Sequence, residues 1–349
     1  MTTKKSLGQF YTTNYKYILQ NMLIPDYISN KIIIEPFTGN GDLLKFIDND
    51  KYKIECYDID PKKDFIIKKD TILDPPIYND KYIITNPPYL ARNKSSNKEL
   101  FDKYKTNDLY KCFLIELLTN CCLGGIIIIP LNFFSSIRIS DISLRKKFLE
   151  KYNILTINIF EEQVFNDTTY TICSMQFELK KNNENNDITI NCYPNKINLL
   201  INLNIKNNYM IGGDIYNLNL NNKYTITRLT SKNINDKNTN ILAKCIDDNI
   251  NNKINLSIVN EKSIFVDNTQ NQSARTYATL IIKPEINIDI QKKLVEKFNI
   301  FLNTNREKYN SLFLTNYREY GRKRISFELI YSIVEYILEN DIEIISNLQ

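Results

Sequence analysis

Residues 82–90, YIITNPPYL, run from an apolar stretch into an amide, two prolines and an aromatic ring. Proline cannot donate to a sheet ladder, so Pro87-Pro88 ends a strand and stiffens the turn after it. In such a bend the side-chain oxygen of Asn86 and the carbonyl of Pro87 can face one cleft as two acceptors. Two acceptors suit an NH2 group: they take its two hydrogens and turn the nitrogen lone pair toward a third point. Tyr89 adds a flat face for stacking. Alone, these four residues would read as an ordinary turn with a packed tyrosine. Their neighbours decide.

Three other strand ends carry comparable chemistry. In IIIEPFTGNGDLLKFI, 32–47, Glu35 closes an apolar run and is followed by Thr38 and by Gly39-Asn40-Gly41. Glycines at that place let backbone approach a ligand, although the spacing is not the GxGxxG dinucleotide fingerprint, because Leu44 holds the third glycine position. About 20 residues on, ECYDIDP puts Asp58 and Asp60 where an acid can accept both hydroxyls of a ribose. KKDTILDPP offers Asp70 at the next strand end, where a carboxylate can accept from an adenine amine. Each acid alone would be structural. Consecutive strands ending in acids or glycines point instead to a ligand on the carboxyl edge of a parallel sheet.

These residues need a scaffold of alternating strands and helices. KIIIEP, YKIECYD, DFIIKKD, YIITN, GGIIIIP, ILTINIF and YTICSMQFEL have the β-branched and aromatic content of strands. GDLLKFIDN and LYKCFLIELLTNCCLGG carry helical spacing, the second closed by Gly-Gly. The pattern predicts a largely parallel sheet covered on both faces. KKNNENNDITIN breaks the texture, which places a boundary at 180/181: a first domain over 1–180 and a second over 181–349. The second holds short strand candidates, KYTITRLT and KSIFVDN, and two helical stretches, DIQKKLVEKFNIFLNTNREKYNSLF and RISFELIYSIVEYILEN. It reads as mixed α+β.

Composition limits the chemistry. The chain of 349 residues has no histidine, which excludes imidazole catalysis and His-ligated zinc. Its seven cysteines lack paired spacing and read as reduced and buried, which with the missing signal peptide suggests a cytoplasmic protein. No apolar run spans a bilayer. The net charge of +5 is spread over nearly balanced halves, so contact with a polyanion must be argued from local clusters.

With these motifs in order, the chain resembles the S-adenosylmethionine-dependent DNA adenine-N6 methyltransferases, in the gamma-class arrangement in which a target-recognition domain follows the catalytic one. The resemblance covers residues 5 to about 178 and implies a Rossmann-like class I sheet of seven mostly parallel strands. LGQFYTTN, 7–14, is similar to the family's N-terminal cofactor segment and implies a role for Thr12, with Thr13 standing where the family has proline. By the same resemblance Glu35 and the backbone of Thr38, Gly39 and Gly41 hold the methionine part of the cofactor. Asp58 takes the ribose, Asp70 the cofactor's adenine amine, and Asn86 borders the same pocket. NDLYKCFLIELL and GGIIIIPLNFFSS look like the following family helix and the strand after it.

Asn86, Pro87, Pro88 and Tyr89 resemble the family's catalytic tetrad. Tyr89 is then one contact of a target adenine flipped out of duplex DNA, and Phe165 in VFNDTTYTICSMQF another, with Tyr170 its alternative. No metal is required.

The second half gathers Arg306, Lys308, Arg318, Arg322, Lys323 and Arg324 among tyrosines. As a lone feature this is a solvated basic face. Behind a DNA methyltransferase it becomes a DNA-binding surface, with Arg318, Arg322, Lys323 and Arg324 the expected contacts and Arg275 a weaker one. The resemblance leaves room for a cognate restriction endonuclease as a partner, and for a bacterium, or a virus-infected host cell, as the setting. Two other readings compete. Asn-Pro-Pro-Tyr also resembles the signature of enzymes that methylate ribosomal RNA adenine or a release-factor glutamine, which tend to carry small accessory domains. A methyltransferase fold retained only for binding nucleic acid would have lost a tetrad or glycine-motif residue.

Overall fold

The computed structural model describes residues 8–166, 168–181, 186–248, 253–267, 276–315 and 322–340. The chain forms two compact units, one reaching Met210 and the other starting at Ile211.

The first unit is built on one sheet: β1 (Ile32–Glu35), β2 (Lys53–Asp58), β3 (Ile67–Lys68), β4 (Lys81–Thr85), β5 (Gly124–Pro130), β6 (Tyr152–Phe160), β7 (Ile172–Leu179), β8 (Asn186–Tyr193) and β9 (Ile197–Leu203). Their spatial order is β3-β2-β1-β4-β5-β7-β6-β8-β9. The run from β3 to β5 is parallel. β7 then inserts antiparallel to both β5 and β6. All seven residues of β5, GGIIIIP, are buried, as a strand covered on both faces requires. The chain winds outward one way through β1, β2 and β3, then crosses back to β4 and β5. The reversal lies between β1 and β4, and ligands in open α/β sheets bind outside the carboxyl ends at such a point.

Two long helices of this unit are α1 (Leu109–Thr119) and α2 (Ile139–Lys151). The sequence pattern does not anticipate α2. Its buried positions 141, 144, 145, 148 and 149 form a helical stripe, but Asp141 and Arg145 within it hide the apolar period. The helix expected over GDLLKFIDN shrinks to a 3-10 turn, Leu43–Phe46, because Ile47 turns extended and an Asp48 side-chain oxygen caps a tight turn at Asp50.

The expected boundary at 180/181 is corrected: the first sheet has nine strands rather than seven, and the first unit runs on to Met210. β8 pairs parallel with β6 and β9 antiparallel with β8. Asparagine-rich composition reads as a break, yet Ile188, Ile190, Ile201 and Leu203 point inward at a period of two, with Asp187, Thr189 and Asn202 exposed between them.

The second unit holds β10 (Thr225–Arg228), β11 (Ile241–Lys244), β12 (Asn255–Ile258) and β13 (Tyr277–Lys283), all antiparallel in the order β10-β13-β11-β12. α3 (Ile288–Lys308) packs on β12 and on α4 (Phe327–Asn340). The Asn287 side chain caps α3 by accepting from the backbone of Asp289 and Ile290 at 3.1 and 2.9 Å. Ile290, Leu294, Phe298 and Leu302 bury one face of it. KSIFVDN is not a strand: it contains most of a 3-10 turn, Glu261–Ser263, and one isolated bridge from Asp267 to Thr230.

Candidate active site

β1 delivers Glu35 to the switch point, fully buried. Its Oε1 accepts from the Thr85 hydroxyl at 2.5 Å and from the Phe37 amide at 3.1 Å, while Oε2 has no partner. Burial pushes its pKa up to about 8 against the pull of those two donors, so the carboxyl is largely protonated at neutral pH.

The turn beyond it is tied inward. The Thr38 amide donates to the Tyr57 carbonyl at 2.9 Å, its hydroxyl donates to the Glu35 carbonyl, and the Gly41 amide donates to the Thr38 carbonyl at 2.8 Å. Gly39 and Gly41 hold φ of +54° and +76°, where a side chain is strained. At Gly39 a Cβ would also press within 3.0 Å of the Tyr11 ring.

Asp58, at the end of β2, accepts from the Gly39 amide at 2.7 Å and, through its other oxygen, from Asp60 at 2.8 Å. It therefore shapes the glycine turn, and each oxygen keeps a lone pair for a hydroxyl. Asp70 uses Oδ1 to cap the amides of Ile72 and Leu73, both at 3.1 Å.

Asp58, Asp70, Gly39, Asn86 and Pro88 line one cavity of ≈ 310 Å³, whose apolar wall includes Phe37, Ile72 and Leu100. A smaller annex is lined by Thr12, Thr38, Gly39 and Asn86. Gly41 lines neither; it closes the turn. Glu35 is not a lining residue either, but its Oε1 holds the amide of Phe37, which lines both.

β4 delivers the bend. Asn86 is 8% exposed, and its Nδ2 donates to the Phe10 carbonyl at 2.8 Å and to the Thr12 hydroxyl at 3.0 Å. Its Oδ1 faces the Tyr89 hydroxyl, which donates there or to the Ile128 carbonyl at 2.8 Å. In this arrangement that oxygen serves Tyr89, while Asn86 itself lines both the cavity and the annex. Desolvation raises the Tyr89 pKa well above its ordinary value, so its proton stays on. Tyr89 is buried, with Tyr110 edge-on at 6.2 Å and Phe10 stacked at 5.1 Å and 24°. Phe10 also stacks on Phe165, at 6.0 Å and 29°. Phe165, the expected second contact, is thus a member of this stack.

The scaffold behind the bend is charged. Lys111 of α1 pairs with Asp141 of α2 at 2.6 Å, both 6% exposed, and the Ser136 hydroxyl donates to the same carboxylate. This pair ties the helix carrying Tyr110 to its neighbour.

Phe10, Thr85, Tyr110 and the Ile128 carbonyl were not anticipated. Phe10 and Thr85 stand beside anticipated residues, whereas Tyr110 and Ile128 reach the bend only through sheet topology.

The expected S-adenosylmethionine fits what is present. A buried carboxyl with one unpartnered oxygen, an annex walled by backbone and Thr12, two cavity-lining acids and an apolar wall suit an amino-acid end, a ribose and a purine in turn.

In the second unit the basic residues part company. Arg306 is committed to Asp247, at 3.1 and 2.6 Å, which corrects its place on an open face. Arg324 pairs its backbone with Thr315. Lys323 reaches the Asn310 carbonyl at 3.5 Å. Arg318 and Arg275 lie outside the described residues.

Residues 20–165 match the family described as Eco57I restriction-modification methylase. No curated protein matches the chain. Among solved structures, a type I restriction-modification methyltransferase subunit from Streptococcus thermophilus is 17% identical with a TM-score of 0.39, over 53% of this chain and 47% of that one. The type IIG restriction endonuclease BpuSI is 13% identical at TM-score 0.39, over 67% and 37%. The DrdV–DNA complex is 15% identical at TM-score 0.45, over 70% and 36%. The chain thus spans half or less of the length of these three structures.

Proposed function

We propose that this chain transfers a methyl group from S-adenosylmethionine to the N6 amine of an adenine in duplex DNA, the adenine being flipped out of the helix into the bend at Asn86–Tyr89. The observation that carries this reading is the placement of that bend. It follows β4 at the switch point and borders the cavity that also holds Asp58 and Asp70. The match of residues 20–165 to a restriction-modification methylase family supports it.

When bound, the cofactor supplies an electrophilic methyl on sulfonium sulfur. The chain's part is alignment. A base amine takes over Asn86 Oδ1 as the Tyr89 hydroxyl withdraws to the Ile128 carbonyl, so no buried donor is stranded by the exchange. The Pro87 carbonyl takes the amine's second hydrogen. The Tyr89 ring offsets part of the cost of unstacking, at roughly 1–3 kcal/mol per base–aromatic contact. Holding the nitrogen in line supplies most of the acceleration, and the proton leaves after transfer, so a site without histidine suffices.

The second unit is then the target-recognition part, with Arg322, Lys323 and Arg324 near DNA, and a restriction endonuclease is the partner to seek. The deciding experiment is incubation with labelled S-adenosylmethionine and unmethylated genomic DNA, followed by base-resolution mapping. Label on adenines within one short sequence supports the proposal. Label only on RNA or protein overturns it in favour of a different substrate.

A further inference from the structure

Phe10 stacks on both rings assigned above to the target base. Tyr89 lies 5.1 Å from it and Phe165 6.0 Å, with interplanar angles of 24° and 29°. Among the described residues Tyr89 and Phe165 make no ring contact with each other, so Phe10 is the flat group that bridges them. Tyr89 and Phe165 are 4% and 5% exposed, whereas Phe10 is only partly buried.

The backbone around Phe10 is bolted to the bend it covers. The Tyr89 amide donates to the Gly8 carbonyl at 2.9 Å, and Asn86 Nδ2 donates to the Phe10 carbonyl. Gly8 has a φ of +67°, and a Cβ there would lie 2.7 Å from the Tyr89 carbonyl oxygen, a contact open only to glycine. Downstream, the Ile18 carbonyl accepts from Ser174 at 2.7 Å, and the Gln20 carbonyl accepts from Asn158 at 2.7 Å. With both ends pinned, the movable part of this strap is the Phe10 side chain.

We propose that Phe10 is a placeholder: its ring fills the base slot in the resting enzyme and rotates away when the target adenine arrives, one stack replacing another. This rests on the reading of the bend as the base pocket. A placeholder competes with the base, whereas a permanent wall of the pocket would assist it, so removing the ring has opposite effects in the two cases.

The test uses the full chain and an oligonucleotide carrying 2-aminopurine at the methylated position mapped on genomic DNA. Phe10→Ala is expected to raise 2-aminopurine emission at a fixed protein concentration and to tighten binding of that duplex about three- to tenfold. Phe10→Leu, which keeps apolar bulk without a flat face, is expected to fall between it and the wild type and to control for folding. Weaker emission with Phe10→Ala would make Phe10 a wall and overturn the proposal. Unchanged emission with a lowered melting temperature would make it simple packing and overturn it too. Failure of the underlying reading looks different: the wild type gives no emission, and Tyr89→Ala methylates normally whatever stands at position 10.

Discussion

The Tyr89 hydroxyl lies within hydrogen-bond reach of the side-chain oxygen of Asn86, three residues earlier in the same bend, and of the Ile128 carbonyl. The bend therefore satisfies itself at rest, and substrate must displace a bond that the chain already makes. Two variants separate the parts. Asn86→Ala removes the acceptor and should lower methyl transfer by about 10²–10³, the usual effect of deleting one preorganised polar group. Because Asn86 also holds Phe10 and Thr12, cofactor affinity should weaken only a few-fold. Tyr89→Phe keeps the ring and frees the oxygen, so its rate should fall by less than about tenfold. Label incorporation into DNA and cofactor titration measure both, and an Asn86→Ala enzyme as fast as wild type would remove the amide from the mechanism.

Glu35 should oppose folding and favour cofactor. Its pKa in the folded chain, about 8, lies above the ordinary 4.5. Between those values the folded state holds a proton that the unfolded state has lost, so stability contributed by this group declines as pH rises through that window. Glu35→Gln should accordingly melt higher than wild type near pH 8, with the difference shrinking toward about pH 5. An ammonium group prefers the ionised carboxyl, so wild-type affinity for the cofactor should climb with pH up to about 8 and then level. The glutamine variant should bind more weakly with a flatter profile. Parallel profiles for the two proteins would contradict the assignment.

Lys111 and Asp141 form a pair from which either partner is costly to remove. Asp141→Ala leaves a buried ammonium and should destabilise the first unit by about 3–5 kcal/mol, read by denaturant unfolding. A double variant, Lys111→Met with Asp141→Leu, should recover most of that loss. Failure to recover would mean that the hydrogen bonds to Asn107 and Ser136, rather than the buried charge, dominate.

The basic residues of the second unit should divide by function. Arg306→Ala breaks the ion pair with Asp247 and should lower the melting temperature of this unit. Arg322→Ala and Lys323→Ala should instead weaken binding to all duplex sequences. Each should also reduce the log–log salt slope by about one for every phosphate it no longer neutralises. Weakened binding that does not depend on salt would exclude a role at phosphates.

Much of the first unit is legible because its strands are short runs of isoleucine and aromatics, and because prolines and glycines mark where they stop. Asp58, Asp70 and Asn86 each end a strand or follow one, so their convergence on one cavity follows from a parallel sheet. Partners that topology alone brings close are not legible: Tyr110 against Tyr89, or the Ile128 carbonyl beneath its hydroxyl. The internal use of Asn86 Oδ1 was hidden for a related reason, since residue types tell which bonds can form and not which form at rest. β8 and β9 were hidden by composition, because buried Asn186 and Asn191 and the outward Leu200 mask a two-residue period. In the second unit charge could be counted, but the commitment of Arg306 to Asp247 depends on a fold the pattern did not disclose.

That the sheet continues through β8 and β9 bears on making hybrids that join one unit of this chain to another protein. A cut at residue 180 would strip two strands, leave the outer backbone of β6 unpaired, and deprive Asn158 of its bond from Asn191. A bare strand edge invites pairing with other chains, so such a hybrid should precipitate. The seam for exchanging the second unit belongs after Met210, where it can be replaced without opening the nine-stranded sheet of the first.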